Sequence, residues 1–160
     1  NVTFSQFDKS SFLDDIAILK KIEAYDLLKE FPAHRCNLRK NLYFLDKDIS
    51  ANYRWLRYIY IANIILKKEL LTNNSIWIDI GSYYGGLESI IKSKFNKSKI
   101  FLVDFNHQLC RSYVYLKNAY PKSRHILPIE FSLLKDYNEI ESDSIIYVKI
   151  RDFYKLNNIH

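Results

Sequence analysis

The three glycines of this 160-residue chain all fall within six positions, as Gly81, Gly85 and Gly86 of the string IDIGSYYGGLES. An apolar run stands directly before them and a helical pattern directly after. A turn of this kind has a physical use. Without a Cβ the backbone can approach a ligand closely, and the N–H groups that open the following helix point at an anion. The cluster therefore predicts a strand, a tight turn and a helix at the centre of whatever the chain does.

The surrounding pattern extends that unit. Ile76 to Ile80 is apolar at almost every position, which suits a parallel strand covered on both faces. Leu87, Ile90, Ile91 and Phe95 share one helix face, and Ile100 to Val103 is a second apolar run that ends in Asp104. This is a βαβ unit, whose crossover is right-handed by rule. Asn106 is placed to cap a further helix, lined by Leu109, Tyr113, Leu116 and Tyr120 and stopped by Pro121. His125 to Pro128 reads as a third short strand, Ser132 to Ile140 as helical, and Ser144 to Ile150 as a strand. A full doubly wound sheet needs more elements than that.

Ahead of the sheet the pattern is helical. Ser11 and Asp14 resemble a capping box, and Phe12, Ile16, Leu19, Glu23 and Leu27 keep helical spacing to Phe31, where Pro32 stops it. A second helix starts near Ser50, with Trp55, Ile59, Ala62, Leu66 and Leu70 on one face. Residues 32–49 form a basic and aromatic connection. The turn signal Asn73-Asn74-Ser75 then divides a helical lead-in, 1–72, from a Rossmann-like cofactor-binding domain, 73–160, within one compact unit. The expected fold class is α/β: a Rossmann-like sheet preceded by N-terminal helices and incomplete in its C-terminal half.

Composition narrows the setting. At 48% hydrophobic residues the chain can bury an ordinary core. Its charge of +6 comes from 24 basic and 18 acidic residues scattered along the sequence, so no basic run marks a nucleic-acid patch. Cys36 and Cys110 stand far apart without zinc spacing and read as reduced thiols. The apolar stretch from Tyr58 to Leu66 is far shorter than the ~20 residues of a membrane helix. No signal peptide is evident near Asn1. A cytoplasmic protein without a membrane span is expected. The absence of methionine, with Asn1 first, predicts that residues are missing from the chain.

The ligand is argued from two acids. Asp79, two residues before Gly81, falls at the carboxyl end of the first strand, where it would repel a pyrophosphate but suit a cationic ligand. The G-x-G-x-x-G spacing of dinucleotide sites is incomplete, because position 83 is Tyr. S-adenosylmethionine brings an ammonium and a sulfonium, a carboxylate for the loop N–H groups, and ribose hydroxyls that need an acceptor. Asp104, at the end of the second strand, is placed to be that acceptor.

Asp79-Ile-Gly81-Ser-Tyr-Tyr-Gly85-Gly86 followed by Leu102-Val103-Asp104 resembles the first two motifs of class I S-adenosylmethionine-dependent methyltransferases. NYRWLRYIYIANII, DIGSYYGGLESII and LVDFNHQLCRSYVYLKNAYPKSRHILP further resemble a family of sugar O-methyltransferases of bacterial glycan clusters, over about residues 50–128. The resemblance implies a sugar or glycan acceptor and a cofactor-binding set of Asp79, Gly81, Ser82, Tyr83, Gly85, Gly86, Asp104 and Phe105. Tyr83 departs from it, standing where the family has a glycine.

Other readings compete. The glycines can serve a tight turn alone, and Asp104 can serve as a helix N-cap. His34, His107, His125 and His160 fit no triad or metal spacing, and His107 lies nearest the expected crevice. The general base is unassigned, with Glu130, Asp136 and Asp152 unranked. A nucleic-acid methyltransferase would account for the positive charge but lacks an Asn/Asp-Pro-Pro-Tyr type motif. A nicotinamide oxidoreductase is disfavoured by Asp79. A non-catalytic binding domain on the same fold is the remaining rival.

Overall fold

The structure, a computed structural model, describes residues 9–33 and 42–158. His34, Cys36 and His160, and positions 34–41 of the basic connection, lie outside the described residues. The chain divides into two compact units, Asn1–Lys68 and Glu69–His160. The division falls close to the turn signal at 73–75.

In the first unit, α1 (Lys9–Lys21) and α2 (Tyr25–Glu30) precede a hairpin of two short strands, β1 (Tyr43–Phe44) and β2 (Ser50–Ala51), then α3 (Tyr53–Lys67). Phe12, Ile16, Leu19, Leu28, Trp55, Ile59 and Ala62 form its buried interior. The first helical pattern is broken where a single helix to Phe31 was expected. Glu23 takes φ 59°, the Glu23 N–H bonds the Lys20 carbonyl, and the Ala24 N–H reaches back to Leu19. That is a Schellman-type stop with Glu in the place that favours Gly. Lys67 and Asn63 of α3 secure it, both donating to the Ile22 carbonyl. Hydrophobic spacing survives such a stop, so periodicity alone hides it. Ser11 is no cap, since α1 already runs from Lys9. Leu70 lies beyond the end of α3 and is exposed, while Leu56, Asn63 and Ile65 join its buried face. Asn52 caps α3 by accepting from the Trp55 N–H at 2.9 Å.

The second unit is a parallel α/β layer. β3 (Ile76–Ile80), β4 (Lys99–Asp104), β5 (Arg124–Ile126) and β6 (Ser144–Lys149) form one sheet in the order β3-β4-β6-β5. α4 (Gly86–Lys94) and α5 (Asn106–Ala119) follow β3 and β4, and α6 (Pro128–Leu133) follows β5. Two 3₁₀ segments, Tyr137–Glu139 and Ile150–Asn158, flank β6. The helix expected over 132–140 is therefore a short α6 and a separate turn.

β4 and β6 are the covered strands. Phe101, Val103, Ile146 and Val148 pack on one face with Ile126, Phe131, Ile140 and Leu156. The opposite face carries Ile100, Leu102, Ile145 and Tyr147, all buried, with α5 packed there and its Tyr113 edge-on to Tyr147. β3 does not meet the expectation of a strand covered on both sides: it stands at the sheet edge, with Ile78 and Ile80 exposed. In the classical doubly wound order the first strand is internal. Here, among the described residues, it has one neighbour, β4. Among the described residues no helix is long and apolar enough to cross a membrane.

Candidate functional site

In open parallel sheets ligands sit at the carboxyl ends of the strands, where adjacent connections leave to opposite faces. β4 and β6 meet that condition. α5, after β4, packs on the face of Leu102 and Tyr147, whereas the 150–158 segment, after β6, places Leu156 on the face of Val103 and Val148. Asp104 and Lys149 are register partners at this point.

The glycine loop runs beside it, and each glycine answers a different demand. Gly81 has φ 83°, and the place of its missing Cβ is open space. Gly85 has φ 87°, and a Cβ there would come within 2.8 Å of Leu116 Cδ1 on α5. A side chain there would have to displace the buried Leu116 as well as hold a left-handed φ. Gly86 opens α4 and is buried. Tyr83, without the freedom of glycine, nevertheless holds φ 57°.

Asp104 explains how. One carboxylate oxygen accepts the Tyr83 N–H at 3.0 Å and the other accepts the Phe105 N–H at 2.7 Å. Ser112 of α5 donates to the Tyr83 carbonyl at 2.9 Å. The loop is thereby pinned at both ends of its strained residue. Phe105, not Asn106 or Asp104, occupies the N-cap position of α5, and no side chain caps that helix; α4, capped by Gly85, has no side-chain cap either. Two helix starts thus present N–H groups at the carboxyl end of the sheet.

Asp79 is half-buried at the end of β3 and has a neighbour that sequence spacing did not single out. Glu88, in the first turn of α4, is almost fully buried. Burial first, and the adjacent Asp79 carboxylate second, push its pKa well above the ordinary carboxyl range. Neither Glu88 oxygen closes a hydrogen bond of ordinary geometry, and the same holds for Trp77 Nε1, Ser82 Oγ and Gln108 Oε1. Asp79 and Trp77 lie within bonding reach of the Glu88 carboxyl, so it is the Ser82 and Gln108 oxygens, in the loop and α5, that are buried and left for water or a polar ligand. An acid in a first helical turn is unremarkable in sequence, which is why Glu88 escapes notice there.

The remaining candidates are dispersed. His107 is exposed and stacked on Phe105, their centroids 6.2 Å apart. His125 is structural in its contacts: Nδ1 lies 3.0 Å from the Tyr147 hydroxyl and Nε2 2.9 Å from the Tyr120 carbonyl, and burial lowers its pKa. Glu130 pairs with Arg124, and Asp136 accepts the Asn138 N–H in the turn leading back to β6. Asp152 lies in the segment after β6, which adjoins the switch point. Cys110 is a free, exposed thiol. Among the described residues no cluster of three His, Cys, Asp or Glu side chains could hold a metal ion.

Compared with protein families, with curated proteins and with solved structures, the chain matches none.

Proposed function

We propose that the second unit is a Rossmann-like domain that binds S-adenosylmethionine at the glycine loop, and that the protein transfers a methyl group to a hydroxyl of a sugar or glycan. The observation that carries this reading is Asp104 at the β4/β6 switch point, latched to the loop through the Tyr83 N–H. Each carboxylate oxygen has a second lone pair, so Asp104 can accept ribose hydroxyls while it braces the loop. The half-buried Asp79 carboxylate favours a cationic group, and the uncapped starts of α4 and α5 favour a carboxylate. The open space at Gly81 and the unpartnered Ser82 and Gln108 oxygens fit a polar ligand lying along the loop. Phe105, exposed after β4, offers an apolar surface for a base.

When bound, this cofactor supplies an electrophilic methyl group on sulfur. The chain's own contribution would be positioning: a fixed loop, a sugar-binding acid and a neighbouring carboxylate field. Calorimetric titration with S-adenosylhomocysteine tests it. Saturable binding is expected for the wild type and binding at least tenfold weaker for Asp104→Ala; no heat with the wild type rejects the reading.

A second reading has an observation in its favour. Asp104 and the Tyr83 N–H satisfy each other, as they would in a domain that keeps the fold without chemistry. Binding of S-adenosylhomocysteine without methyl transfer to any sugar acceptor would decide for it.

A further inference from the structure

β3 is the sheet's open side, and the direction of its backbone groups is fixed by its neighbour. The Lys99 N–H bonds the Ser75 carbonyl at 3.1 Å and the Gly81 N–H bonds Val103 at 2.8 Å. Odd-numbered positions therefore turn towards β4, and the N–H and C=O groups of Ile76, Ile78 and Ile80 turn away from it. No hydrogen bond of the described residues reaches those outward groups. The matching side chains lie on the face of Phe101 and Val103, with Ile78 40% and Ile80 58% exposed.

Sheet edges are normally protected by shortness, Lys, Pro or a bulge. The opposite edge has such protection: β5 is three residues long, carries Arg124 and is followed by Pro128. β3 has five residues, no Pro, no cation and a β-branched residue at every outward position.

We infer that β3 is a dimerisation edge, pairing antiparallel with the β3 strand of a second copy of this chain about a twofold axis through Ile78. The sequence Ile-Trp-Ile-Asp-Ile is complementary to itself in that register. Ile78 faces its own mate, Ile76 faces the partner's Ile80, and every outward N–H meets an outward C=O. The isoleucines form one apolar ladder across the axis. Asp79, the one charge on the strand, lies opposite the partner's Trp77, so no like charges meet. The flanking residues, Asn73 to Ser75 on one side and Gly81 to Tyr83 on the other, are uncharged as well. The same register sets Gly81 opposite the partner's Ser75, so the second copy borders the glycine loop on its open side. A second copy is favoured over an unrelated peptide because only a twofold mate is guaranteed this matched pattern.

Sedimentation of the full chain tests the pairing, at about 100 µM because interfaces of this small size are in the weak range. The wild type is expected at twice the 19.2 kDa chain mass. Ile78→Lys and Ile78→Glu are each expected at the monomer mass with an unchanged circular dichroism spectrum, and an equimolar mixture of the two is expected to return to the dimer mass. Ile78→Pro removes one outward N–H without touching the β4 ladder and is likewise expected to be monomeric. A monomeric wild type would overturn the inference. So would a dimer that survives Ile78→Lys, or protection of the Ile76, Ile78 and Ile80 amides from exchange that does not depend on concentration, since the chain itself or another surface would then cover the edge.

Discussion

Two glycines of one loop separate a packing demand from a backbone demand. Gly85→Ala has to bear both a left-handed φ and a Cβ pressed against the buried Leu116, and a loss of roughly 2–4 kcal/mol is expected. Gly81→Ala meets only the backbone cost, about 1–2 kcal/mol, because nothing occupies its Cβ position. Urea unfolding of the two variants measures the difference. Glu88 makes a separate prediction. Its raised pKa means that the folded state holds a proton the unfolded chain releases near pH 4.5, so stability falls as pH rises from there to the folded pKa. Glu88→Gln removes that dependence. The thermal midpoint of the variant is expected to gain on the wild type steadily above pH 4.5 and then level off; a constant offset would contradict it.

At the scale of elements, one lysine does what several caps do elsewhere. Lys92 lies on α4 with its side chain fully buried, and its ammonium donates to the Asn96 and Ser98 carbonyls at 2.7 and 2.8 Å and pairs with Asp143 at 2.8 Å. Burial lowers its pKa and Asp143 opposes the shift. Asp143 in turn accepts from Ser123 and holds φ 62°, so the turns before β4, β5 and β6 meet at this ion pair. Lys92→Met keeps the aliphatic stem and removes the charge. A loss of roughly 2–3 kcal/mol is expected by calorimetry, the value for charge-assisted bonds to a partner that is partly exposed. Nothing in the sequence marks this residue, because a lysine among apolar neighbours reads as a solvated position. The elements that were legible are those whose patterning is local: β4 and β6 as continuous apolar runs, α3 from Trp55 and Ile59, α5 from Leu109 to Pro121. The break at Glu23 and the edge position of β3 were not, since the first depends on contacts from α3 and the second on which strands pair. At the site, Asp79, Asp104 and the glycines could be picked out by spacing. The bond that ties Asp104 to Tyr83 and the burial of Glu88 could not, because both arise only when β4, α4 and the loop are assembled.

For the whole molecule, the charge surplus says less than the order of the strands. β6, the last of the described strands, is inserted between β4 and β5, which precede it by some distance in sequence. Such long-range closure is slow to form. During synthesis on the ribosome, a nascent chain that has reached only the 137–139 turn lacks the strand that pairs with the inner edge of β4, and lacks the Ile146 and Val148 side chains that complete the packing of Phe101 and Val103. That unpaired edge stays available to chaperones, or to other unfinished copies, until residue 149 has emerged. A ribosome stalled before β6 would therefore hold a sticky half-sheet, so the cell's exposure to aggregation from this protein is set by the translation time of that central strand.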